Sequence, residues 1–92
     1  MTYFRKLTGF IQKAENDSKI NPSHICLYVA LLKCWSDNNF NNPVSIDREE
    51  LMRTSKTKSK VTYHRGLKAL HAGGYIKYMP SFHPLKGSEV WL

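Results

Sequence analysis

Residues 22–36 hold Ile25, Cys26, Leu27, Tyr28, Val29, Ala30, Leu31, Leu32, Cys34 and Trp35. At helical spacing these side chains leave almost no polar side. A helix apolar all round has to be covered all round, by the rest of its own chain or by a partner. Asn21-Pro22 marks its start, because asparagine can cap a helix and proline suits the first helical position. The longest apolar run, residues 25–32, falls far short of the roughly 20 residues that cross a bilayer. The segment therefore predicts a core helix, and no membrane partner is expected.

The cover is expected from residues 3–14. Tyr3, Phe4, Leu7, Phe10, Ile11 and Ala14 recur at helical spacing with Arg5, Lys6, Gln12 and Lys13 between them, the pattern of an amphipathic helix. Gly9 weakens it slightly. This pattern is not the uniformly apolar core of a signal peptide. The helix can lie on residues 22–36 of its own chain or on a second copy. A homodimer through Tyr3, Phe4, Leu7, Phe10 and Ile11 is the corresponding expectation. Residues 1–20 thus form an N-terminal helix and linker, and residues 21–92 the main domain. A chain of 92 residues can bury roughly two thirds of its unfolded surface, enough for one core without staples. Cys26 and Cys34 sit about 12 Å apart along the helix, too far for a disulfide. They read as small core residues in a reducing compartment, which points to the cytoplasm.

The rest of the chain predicts short elements. Residues 37–43 are a loop by composition. Val44-Ser45-Ile46 alternates like a brief strand. Asp47 with Glu50 forms a capping box for a helix through about residue 53. A polar turn covers residues 54–58, and Ser59 caps a helix over residues 60–72 with Tyr63, Leu67 and Leu70 on one side. Gly73-Gly74 stops it. The period then changes to two: residues 75–79 and 88–92 predict an antiparallel hairpin around a loop at 80–87. Tyr63, Tyr75, Tyr78 and Trp91 are read as core, and Gly66 as a point of close helix packing.

Charge is divided unevenly over this frame. The formal net charge is +7. Residues 1–50 carry six basic and six acidic side chains, whereas residues 51–88 contain no Asp or Glu. That second stretch holds Arg53, Lys56, Lys58, Lys60, Arg65, Lys68, Lys77 and Lys86. A neutral half joined to a strongly positive half points to a polyanionic partner.

The order helix, strand, helix, turn, helix, hairpin carries a resemblance. Residues 45–52, the polar turn, residues 62–70 and Gly73-Gly74-Tyr75-Ile76 are similar to the winged helix-turn-helix superfamily. The likeness is greatest to its small members in bacterial transcription regulators and in replication or mobility proteins of plasmids, phages and transposons. It covers residues 22–92, and its most specific part is Leu67-x-x-Leu70-x-x-x-Gly74-x-Ile76. The N-terminal helix lies outside it. Where many members have glycine, an apolar residue and serine in the turn, this chain has Thr57, Lys58 and Ser59. The resemblance implies a mainly α fold with a small antiparallel β wing, preceded here by an extra amphipathic helix. It also implies a non-enzymatic protein that binds double-stranded DNA as a transcription regulator or mobile-element accessory factor.

Helical spacing then assigns expected contacts. With Tyr63, Leu67 and Leu70 inward, Lys60, Val61, His64, Arg65 and Lys68 face outward. The N-terminal part of such a helix reaches base edges in the major groove. Arg65 suits guanine, and Val61 and Thr62 suit a thymine methyl. Lys56, Lys58, Ser59 and Lys60 suit phosphates at the helix N-terminus. Lys86 on the wing, with His83, suits the backbone or minor groove.

Other chemistries lack their constellations. His24, His64, His71 and His83 are scattered, and no Cys-x-x-Cys or His-x-x-x-His spacing occurs, so no metal site is expected. No paired carboxylates lie in the basic half, and no glycine-rich phosphate loop is present. No cofactor and no small-molecule substrate are expected. The rival expectation is a winged-helix module that binds another protein, supported by the surplus apolar surface of the first two helices, because a fold does not fix function.

Overall fold

The computed structural model describes residues 2–81 and 87–92. These residues form a mainly helical fold with a small three-stranded antiparallel sheet. In chain order the elements are α1 (Thr2–Ala14), α2 (Pro22–Asp37), β1 (Val44–Ile46), α3 (Arg48–Thr54), α4 (Lys60–Ala72), β2 (Lys77–Met79) and β3 (Ser88–Trp91). The sheet order is β1-β3-β2, so the last strand is central. Val44 pairs with Val90 on one side of β3, and Tyr78 pairs with Val90 on the other.

The apolar helix is the hub. It packs against α1, α3, α4 and β1. Leu27, Tyr28, Ala30, Leu31, Leu32 and Trp35 are buried with Leu51, Tyr63, Leu67, Leu70, Ile76 and Val90 in one core. Gly66 is where α4 comes closest to α2: a Cβ there would lie 2.8 Å from Leu27 Cδ2. The start of α2 is as expected, with Asn21 accepting from the His24 amide at 3.1 Å. The His24 imidazole answers by accepting from the Asn21 amide at 3.4 Å, a reciprocal partner with no glutamate or glutamine signature. At α3 the cap is Asp47, but its carboxylate accepts from Glu49 at 3.0 Å and not from Glu50.

The cover question has a definite answer. Phe10 of α1 stacks on Tyr28 with ring centroids 3.8 Å apart and meets Tyr75 edge-on at 5.2 Å. Lys13 Nζ donates to the Gly73 carbonyl at 2.6 Å, and the Tyr75 hydroxyl donates to Asp17 at 2.8 Å. The helix therefore lies on its own chain. Phe10, expected at a dimer interface, is instead 4% exposed in the monomer's core. The cover is not complete: Val29 is 40% exposed and Cys26 is exposed, which corrects the expectation that Cys26 is a core residue. Cys34 is half-buried.

Three helices end in the same way. A residue in the left-handed region follows the last turn, and two amides reach back to carbonyls of that turn. At α2 the residue is Asn39 (φ 55°), with Asn39 N bonded to Ser36 O at 3.0 Å and Phe40 N to Trp35 O at 2.9 Å. The Phe40 ring then packs edge-on against Trp35 at 5.1 Å. At α4 it is Gly74 (φ 77°), with Gly74 N bonded to His71 O at 3.0 Å and Tyr75 N to Leu70 O at 2.9 Å. At α3 it is Lys56 (φ 61°), with Lys56 N bonded to Arg53 O at 3.3 Å and Thr57 N to Met52 O at 2.9 Å. The last turn of α4 also guards the sheet: His71 Nδ1 accepts from the Tyr78 amide at 3.0 Å, satisfying a donor on an edge strand.

Burial raises the hydroxyl pKa of Tyr28 to about 12 and pushes that of Tyr63 up as well. An unfolded tyrosine ionises at about pH 10. The folded state thus holds these protons more tightly. The resulting stability is complete below about pH 10 and is lost as pH rises from there through the folded value. Urea midpoints are expected to fall between about pH 10 and about pH 12, and Tyr28→Phe to flatten that fall. An unchanged slope for the variant would show that Tyr28 is not the titrating group.

Candidate nucleic-acid interface

Helix α4 is held by Tyr63, Gly66, Leu67 and Leu70, all buried. Its opposite side carries the expected site. Lys60, Val61, Thr62, His64, Arg65 and Lys68 are exposed, as are Lys56, Lys58 and Ser59 in and after the turn. Lys86 and His83 lie outside the described residues. Val61 is 58% exposed, an apolar side chain set among cations. No described acid forms an ion pair with Lys56, Lys58, Lys60, Arg65 or Lys68; the ion pair among the described residues is Lys33–Asp37 on α2 at 3.0 Å. The positive charge of α4 and its turn is therefore not neutralised by described neighbours.

At about 100° per residue, the exposed side chains divide. Val61, Arg65 and Lys68 fall opposite the buried side, Arg65 and Lys68 to either side of its centre. Thr62 turns toward the flank where Gly66 meets α2. His64 turns the other way, toward the hairpin, and with Lys68 lines a cleft shared with Tyr78 and Pro80. Ser59 acts within its own helix, where its Oγ accepts from the Thr62 amide at 3.3 Å and caps α4.

The turn between α3 and α4 is built in a specific way. The left-handed residue is Lys56, one position before Thr57. Inside the turn, Ser55 is 5% exposed. Its Oγ donates to the Leu51 carbonyl at 2.7 Å and sits 2.8 Å from Thr57 Oγ1. A pair of hydroxyls thus fills the turn, and both side-chain oxygens have a partner. A non-glycine residue in the left-handed region costs roughly 1–2 kcal/mol, and glycine returns about 0.5–1 kcal/mol of this as unfolded-state entropy. Lys56→Gly is expected to raise stability by about 0.5–1 kcal/mol and at the same time to weaken duplex binding. A chemical melt with an unchanged or lower midpoint would contradict the strain.

The cleft holds a residue that composition does not single out. It has a volume of about 760 Å³ and lies between β1, the start of α3, α4 and the hairpin. Arg48, His64 and Lys68 line it with Tyr63, Tyr78, Ser81 and Ser88. Asp47 also borders it, its carboxylate engaged by the Glu49 amide at 3.0 Å. Arg48 stands in the charge-balanced half beside Glu49 and Glu50, so its charge cancels in any sequence count. Only the fold brings it to the α4 side.

On α1, Phe4 is 66% and Ile11 40% exposed, and Tyr3 and Leu7 are half-buried against the core. The interface expectation narrows to these four. Among the described residues no helix is long and apolar enough to cross a membrane, and no group of three His, Cys, Asp or Glu could hold a metal. Comparison with protein-family models, curated proteins and solved structures finds no match for the chain.

Proposed function

We propose that the chain is a winged helix-turn-helix protein that binds double-stranded DNA in a sequence-dependent way, as a transcription regulator or mobile-element accessory factor. The observation that carries this reading is the exposed face of α4. A helix anchored by four buried residues presents Arg65, Val61, Thr62 and Lys68 outward, with Lys56, Lys58 and Lys60 around its N-terminus and no described acid paired to the cations. An α-helix fits the major groove, and lysines beside a helix N-terminus suit phosphates. The antiparallel β2–β3 pair follows α4 directly, where a wing would stand. Chemistry on the DNA is not part of the proposal.

Selection of duplexes from a random pool tests the reading. Enrichment of a common core sequence supports it. A pool that stays unbiased through repeated rounds contradicts sequence-dependent binding.

A second copy of the chain belongs to the same proposal, docking through Tyr3, Phe4, Leu7 and Ile11 so that two α4 helices read a palindrome. Sedimentation is expected to show dimer at high micromolar concentration and monomer for Phe4→Glu. Monomer throughout for the unaltered chain contradicts the pairing.

A further inference from the structure

We propose that the cleft between α4 and the β2–β3 hairpin seats a phosphate of the DNA backbone, held by Arg48 and Lys68, and that the α4 face is thereby split into a base-reading part and a backbone-holding part. The inference rests on the DNA-binding reading and deepens it. Arg48 is the first residue of α3, and the cleft puts it on the same concave surface as Lys68 and His64, which stand one turn apart on α4. These three are the basic side chains of the described lining. The acid in the lining, Asp47, accepts from the Glu49 amide and keeps its single negative charge, which Arg48 and Lys68 together outweigh. Ser88 also stands in the lining, where its hydroxyl accepts from the Ser81 amide at 3.2 Å.

The position of the cleft favours a backbone over a base. A helix lying in a groove turns its outermost residues to the base edges, and its flanks toward the strands that border the groove. On α4 Val61, Arg65 and Lys68 lie outermost, Arg65 inclined toward the Gly66 flank and Lys68 toward the flank of His64, where the cleft opens. Arg65, Val61 and Thr62 therefore read sequence. Lys68, with Arg48 from another helix, fixes the register of the helix on the duplex. The recruitment of Arg48 also explains how a charge from the balanced half of the chain joins the basic half.

Salt-dependent binding of a random duplex of about 20 base pairs, followed by fluorescence anisotropy with the full chain, tests this. Each phosphate neutralised adds about 0.9 to the log–log slope. Arg48→Gln and Lys68→Gln are each expected to lower the slope by about that amount. Lys33→Gln, which removes a charge from the Lys33–Asp37 pair, is expected to leave the slope unchanged. Thermal melts of the three variants guard against unfolding. If Arg48→Gln matches the unaltered chain, or if Lys33→Gln reduces the slope equally, the cleft holds no backbone phosphate. Stabilisation of the chain by millimolar pyrophosphate that Arg48→Gln removes, with an unaltered duplex slope, would assign the cleft to a free anion and overturn the proposal. Absence of any duplex binding by the unaltered chain would instead remove the reading beneath it.

Discussion

Replacing Arg65 and Lys68 together by alanine is expected to abolish sequence-specific duplex binding while the fold survives. Both side chains are exposed, and neither is paired to a described acid, so their loss leaves no buried charge or cavity. A bidentate arginine–guanine contact supplies about 1–3 kcal/mol of discrimination, equivalent to roughly 5- to 150-fold in affinity. Loss of Lys68 removes a phosphate contact from both duplexes alike, and loss of the Arg65 contact makes the preferred duplex lose more than a random one does. Titration of a selected duplex and a shuffled one gives the ratio, and a thermal melt checks the fold. A double variant that binds the selected duplex as tightly as the unaltered chain means that α4 is not the reading surface.

The largest expected effect on stability comes from α1. Phe10→Ala removes a ring that is 4% exposed and sandwiched between Tyr28 and Tyr75. Truncating a buried phenylalanine costs about 3–5 kcal/mol. For a domain of this size a loss of about 1 kcal/mol lowers the melting temperature by about 4–8 °C, so the variant should melt at least about 12 °C lower. Phe4→Ala on the same helix removes a ring that is 66% exposed and is expected to stay within about 0.5 kcal/mol of the unaltered monomer. Equal melting of the two variants at a concentration where the chain is monomeric would mean that α1 is not part of the core.

Those two phenylalanines show where sequence periodicity reaches its limit. The spacing of Phe4, Leu7, Phe10 and Ile11 marks one apolar stripe, and a stripe does not say which of its edges faces inward. Tyr28 and Tyr75 settle it, and they lie on elements far along the chain. The element order is legible because each start has local chemistry: Asn21, Asp47 and Ser59 all cap the helices they precede. Gly66 meets α2 closely, whereas Gly9, equally amid a helical pattern, has open space where a Cβ would stand, so the partner helix and not the glycine itself distinguishes the two.

Helix ends are legible only as far as their left-handed residue suits that conformation. Gly74 is the residue that conformation favours, and the sequence marks the end of α4 clearly. Asn39 tolerates it, and the loop at the end of α2 is visible by composition. Lys56 does neither. Its turn is held by Ser55 and Thr57 from within and by the packing of α3 and α4 on α2, so the backbone takes a conformation that the local residues do not request. Strain of this kind is a feature of functional sites, and here it holds a cation at the entrance to the α4 face. The cleft is illegible for a related reason. Arg48 and Lys68 are brought together by the placement of α3 beside the hairpin, and no spacing along the chain encodes that.

The measurement that bears most directly on the DNA-binding reading is the salt dependence of duplex binding by the unaltered chain. A random duplex of about 20 base pairs is titrated by anisotropy at several salt concentrations. A log–log slope of about −3 to −5 is predicted, corresponding to roughly four or five phosphates neutralised at about 0.9 each. No binding even at low salt would contradict the DNA-binding reading and leave the α4 face to a partner of another kind, with a protein the first to seek.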